Sequence, residues 1–172
     1  MARRNEAHDV VVESITGALL ILMQKKPLNE INVSELCTKA GVSRVSFYRN
    51  FTSLEDILTK YLKKCTEDWW TEFSKKSEDD IRQSFWKELL NQYKMNTDLI
   101  NLLKKNNITY IIKDHIFSCC GPKPEHDEKT AYICACLSGL IYGFVDEWIR
   151  RGMTDSAPEI DIHKLVSLAD DL

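Results

Sequence analysis

Apolar residues recur at spacings of three and four along most of the chain, the period of helices that bury one face. Val10 or Val11, Ile15, Ala18 or Leu19 and Leu22 mark a first helix over about Glu6–Lys26. Pro27 ends it, because proline cannot extend the hydrogen-bond ladder. "INVSELCTKAG" predicts a second helix, with Asn32 as its cap, Glu35 completing a capping-box pattern and Gly41 as its stop. Ser43 caps a third that ends near Asn50, and Ser53 with Asp56 forms the next capping box. A long fourth helix, about Leu54–Lys76, carries the stripe Leu54, Ile57, Leu58, Tyr61, Leu62, Cys65, Trp69 and Phe73. A fifth follows over about Asp79–Met95, then shorter ones near Thr97–Lys105 and Ile108–Cys119. "CCGPKPEHDE" reads as a loop. "KTAYICACLSGLIYGFVDEWIRRGM" predicts an eighth helix, apolar nearly all round, and a ninth spans about Glu159–Asp170. The fold class is all-α with about nine helices, divided into an N-terminal unit at 1–52 and a helical remainder at 53–172.

Composition supports that pattern and adds an asymmetry. Only six Gly and four Pro occur in 172 residues. The net charge is −3, yet residues 1–52 hold seven Lys/Arg against five Asp/Glu, so the negative charge lies in the C-terminal part. The first part suits nucleic acid and the second would be repelled by it. No apolar run approaches the ~20 residues of a membrane span, and no apolar segment of the signal-peptide kind follows the N-terminal arginines. A cytoplasmic protein without membrane association is therefore expected. The six cysteines form no CxxC pair, and Cys134 and Cys136 would point roughly 200° apart on a helix, so reduced, mostly buried thiols are expected. His115 and Cys119 share a helix face, which leaves a thiol or metal sensor open, although no metal site or cofactor is expected. No Gly-rich phosphate loop, HExxH or Ser/His/Asp pattern occurs, which argues against an enzyme.

The chemistry concentrates in "SELCTKAGVSRVSFYRNF". Two short helices joined at a glycine match a helix-turn-helix. Leu36, Val42, Phe47 and Phe51 supply a mini-core, which leaves Arg44, Tyr48 and Arg49 outside, with Ser43, Val45 and Ser46 at the first turn. Arginine reads guanine O6 and N7, valine methyls meet a thymine methyl, and hydroxyls and helix-start amides suit phosphates. A helical hairpin with a solvated face has the same pattern.

The longer stretch "INVSELCTKAGVSRVSFYRNFTSLEDIL" resembles the N-terminal domain of the tetracycline-repressor (TetR) family, and "LSGLIYGFVDEWIRRGMTDSAPEI" resembles that family's dimer-forming penultimate helix and its exit. The resemblance implies a transcriptional regulator, commonly a repressor, that binds a palindromic operator in double-stranded DNA as a homodimer and responds to a small-molecule effector. It implies phosphate contacts from Ser43, Tyr48 and Asn50, and base contacts from Arg44, Val45, Ser46 and Arg49; Ser34 joins them as a DNA-binding candidate. Val45 stands where the family commonly has glycine, and Leu54 where it often has a phosphate-binding lysine; Arg3 and Arg4 could compensate.

Two half-sites about one helical turn apart require a dimer. The expected seam uses the small residues Ala135, Gly139 and Gly143 with Tyr142 and Leu165, because the eighth helix is too apolar to face water. Trp69, Phe73, Trp86, Tyr93, Tyr110, His115 and Tyr142 are expected to line an effector pocket, each with ordinary core packing as its competing role. Adjacent Trp69 and Trp70 cannot both face one core. The alternative function is a co-regulator of the same fold whose C-terminal part binds another protein.

Overall fold

The computed structural model describes residues 2–154, with side-chain detail from residue 8 onward except at position 82. Among the described residues there are eight α-helices, one 3-10 turn and no strand. The helices are α1 (Ala2–Lys25), α2 (Val33–Ala40), α3 (Arg44–Asn50), α4 (Leu54–Phe73), α5 (Glu78–Met95), α6 (Thr97–Lys105), α7 (Tyr110–Cys120) and α8 (Glu128–Arg150). The 3-10 turn, Leu28–Glu30, follows Pro27 and brings the count to nine helical elements. The expected helix over 159–170, and with it Leu165, lies outside the described residues.

Local chemistry sets most boundaries. Asn32, Ser43, Ser53, Ser77 and Asp127 each accept a bond from the amide three residues on, which satisfies a donor that a helix start leaves open. Gly41 ends α2 in the left-handed region at φ 67°, and the Val42 amide reaches back to the Cys37 carbonyl. The capping box expected at Asn32 is half made: the Glu35 carboxylate turns instead to Lys26 Nζ at 2.6 Å. α4 stops at Phe73, not Lys76, because Ser74, Lys75 and Lys76 offer no apolar anchor and the last two close as tight turns. α7 begins two residues later than expected. Asn107, at φ 57°, lets the Ile108 amide bond the Leu103 carbonyl and close α6 first.

One continuous apolar core runs through all of this. Ile15, Leu19 and Met23 of α1 join Leu36, Phe47, Ile57, Leu58 and Leu62, then Ile100, Leu103, Ile112 and Val145. The core crosses the 52/53 boundary without a break. Polar joints reinforce the crossing. Asn106 Oδ1 accepts the Leu28 amide at 2.7 Å, and Lys105 Nζ donates to the Gln24 carbonyl at 3.3 Å.

Candidate nucleic-acid interface

α3 is a seven-residue helix that buries only Phe47 completely. Phe51, one turn on, lies beside it with ring centroids 6.1 Å apart, and Leu36 and Cys37 of α2 close the mini-core. A helix so short has little stability of its own, so packing and caps must hold it. Ser43 does this from the front: its Oγ accepts the Ser46 amide at 3.1 Å and lies 3.1 Å from Ser46 Oγ. The remaining face points to solvent. Val45 is 69% exposed and Tyr48 55%, and Arg44 and Arg49 are exposed beside them. The Arg44 guanidinium stands 6.0 Å from the Tyr48 ring centroid, and no ion pair within the described residues holds either arginine. Ser34, at the start of α2, is exposed on the neighbouring helix.

Asn50 and Leu54 sit differently. Asn50 is half-buried; its Nδ2 donates to the Ser46 carbonyl at 2.7 Å, while its buried Oδ1 has no partner among the described residues. Lys60 Nζ grips the Asn50 carbonyl at 2.7 Å and Asp56 at 2.9 Å, tying the end of α3 to α4. Burial pushes the Asp56 carboxyl up, but the Thr52 amide and Lys60 outweigh it and hold it below the usual carboxylate value. Leu54 packs on the core, partly buried. The side chains of Arg3 and Arg4 lie outside those described.

The residues expected to line an effector pocket divide into three groups. Trp69, Phe73 and Trp86 belong to an aromatic stack: Trp69 lies 5.1 Å from Phe73, Phe85 bridges to Trp86, and Trp86 meets Phe144 edge-on at 4.7 Å. Trp70 is 48% exposed, so the tryptophan pair splits between core and surface. Trp69 Nε1 and Gln92 Nε2 are buried donors without partners among the described residues. Tyr93 and His115 are core residues, at 2% and 3% exposure. Tyr110 is exposed on its bond to Glu55, and half-buried Tyr142 contacts Asp146 at 3.4 Å.

His115 Nε2 lies 2.9 Å from Thr66 Oγ1, whose proton is used on the Leu62 carbonyl, so the imidazole donates there. Burial lowers its pKa. Cys119 Sγ is 3.6 Å from Nε2, so the shared face is real, but no cluster of three or more metal-ligating side chains forms among the described residues.

A groove of about 720 Å³ opens elsewhere, between α1 and α4, with α3 at one end. Val12, Thr16, Gly17 and Leu20 line it from α1, Ile57, Tyr61 and Cys65 from α4, and Arg49, Asn50 and Phe51 from the end of α3. None of the seven expected pocket residues borders it. The sequence marks this groove only by Gly17, a glycine in mid-helix.

α8 has two faces. Ser138, Ile141, Val145, Trp148 and Ile149 are buried against the rest of the chain. Tyr132, Ile133, Cys136, Leu137 and Gly143 are exposed, and Ala135 and Gly139 partly so. A Cβ built on Gly139 or Gly143 meets nothing within 4 Å. An 18-residue window of α8 has mean hydropathy 1.3, as a membrane-spanning helix would, and 28% of it is buried.

No known family model matches this chain, and no curated protein matches its sequence.

Proposed function

We propose that this chain is a sequence-specific, DNA-binding transcriptional regulator, a repressor, acting as a homodimer under small-molecule control. α2 and α3 are read as a helix-turn-helix with α3 as its recognition helix. The observation that carries this is α3 itself: seven residues turn Arg44, Val45, Tyr48 and Arg49 outward and spend one fully buried phenylalanine on holding them there. Arg44 and Arg49 have no carboxylate partner among the described residues, so both guanidiniums are free to meet base edges and phosphates. The unpaired Trp69 Nε1 and Gln92 Nε2 support an effector with hydrogen-bond acceptors in the C-terminal part. The exposed apolar face of α8 supports a second copy as its cover.

The test starts with duplexes selected from a random pool and titrated against the protein by fluorescence anisotropy. Arg44→Ala and Arg49→Ala should each cost about 1–3 kcal/mol on the selected site. Unchanged affinity and unchanged sequence preference in both variants would sink the assignment.

A second reading has one observation in its favour. The stack from Trp69 to Phe144 fills its own space with aromatic rings, as a C-terminal part built to meet another protein would. Soaking the protein in mixed metabolites and finding the indole of Trp69 unperturbed would favour that co-regulator reading.

A further inference from the structure

We propose that the groove between α1 and α4 is a second ligand site, taking an amphipathic organic anion whose charged end meets Arg49. The inference rests on the DNA-binding reading only for its consequence, not for the site itself.

The size fits: about 720 Å³ lies within the ~300–1,000 Å³ of small-molecule pockets. The space is also kept open at a cost. Gly17 stands in the middle of a 24-residue helix, where glycine is worth roughly 0.5–1 kcal/mol less than alanine. No turn or positive φ needs it there, and a Cβ added to it meets nothing within 4 Å. What its bare backbone provides is room on the α1 wall of the groove.

The walls choose the ligand class. Val12, Leu20, Ile57 and Tyr61 offer an apolar bed for a chain or ring. The charges along the groove are mostly spoken for. Lys60 holds Asp56 at 2.9 Å, and Lys64 spans the two walls to Glu13 at 3.3 Å. That exposed bridge is worth at most about 1 kcal/mol, so it does not bar entry. Asp68 lies eight residues along α4 from Lys60, about 12 Å away by helix rise. At the α3 end the charge left without an ionic partner among the described residues is Arg49. A carboxylate or sulfonate satisfies the guanidinium.

Arg49 therefore faces two claims. It stands on the outward surface of α3 and on the border of the groove. An anion in the groove competes with DNA for this side chain, so ligand binding weakens operator binding by taking a contact away. This differs from an effector between α4 and α8, which would have to act through a shift of helices.

The probes are octanoate and its neutral counterpart 1-octanol, titrated into isotope-labelled protein without DNA and followed by backbone amide NMR shifts. Octanoate should shift the amides of Gly17, Asn50 and Tyr61 and bind about tenfold more tightly than 1-octanol. Arg49→Gln should remove that preference and leave 1-octanol binding unchanged. Gly17→Leu, which fills the groove with a better helix former, should abolish binding of both probes. Shifts confined to other regions, equal affinity for the two probes, or full binding to Gly17→Leu would each overturn the site. On a selected operator, octanoate should lower wild-type affinity about tenfold and leave that of Gly17→Leu unmoved. If the protein selects no DNA while the groove titrates as described, the function proposed above fails and this site stands.

Discussion

At the scale of single residues, His115 shows how burial turns a titratable group into a stability term. It is 3% exposed, donates to Thr66, and has Cys119 close to its ring. Burial lowers its pKa below the ordinary 6.5, partly opposed by Glu67 and assisted by Lys63. The unfolded chain therefore takes up a proton at a higher pH than the folded one. Stability from this residue is complete above about 6.5 and is lost as pH falls from there toward the lowered folded value. Urea midpoints measured between about pH 5 and 8 should decline on the acid side, and His115→Gln should flatten that decline. An unchanged acid slope in the variant would assign it to other groups. Arg49 shows the opposite economy. Among the described residues no carboxylate holds it, and it touches two proposed sites, so Arg49→Gln is expected to affect both DNA and anion binding, while Arg44→Ala affects DNA alone.

At the scale of elements, the turn between α2 and α3 fixes where α3 points. Gly41 sits at φ 67°, and a Cβ there meets nothing within 4 Å, so any penalty for a side chain comes from the backbone alone. Gly41→Val should lower stability by about 1–2 kcal/mol, read as a shift of the urea midpoint, with Gly41→Asn costing less. Equal midpoints for Val and Gly would mean that the turn relaxes freely. This turn also marks what the sequence reveals. Asn32, Ser43, Ser53 and Gly41 were legible because a cap acts within three residues of itself. Ser77 is hidden inside a polar run, and the 3-10 turn after Pro27 has no periodicity to betray it. The outward set on α3 was equally legible, since one phenylalanine fixes the phase of a short helix. The α1–α4 groove was not. It exists only when two helices that are not neighbours in the chain approach each other, and its trace in the sequence is a single glycine. The aromatic residues were recognisable as important, but nothing local separates rings that stack on each other from rings that face a cavity.

At the scale of the whole molecule, α8 leaves one apolar face open. Tyr132 and Ile133 are 68% and 57% exposed, on a helix whose other face is buried. If a second copy covers this surface, Gly143→Glu should be a soluble monomer: the position has open space in the single chain, and glutamate is a better helix former than glycine. Light scattering checks this, and a dimer of native mass would remove α8 as the seam. A wild-type protein that is monomeric in buffer and partitions onto lipid vesicles would instead assign the face to a membrane.

The bond from the Leu28 amide to Asn106 has a consequence for how the protein is made. Its partners are 78 residues apart. The first three helices leave the ribosome well before α6 exists, so part of the apolar side of α1 waits uncovered while more than half of the described chain is still being synthesised. The helices of the proposed reading head are thus made before α6, which completes the packing of α1. A nascent chain stalled before Asn106 should be far more sensitive to protease in α1 than one stalled beyond it.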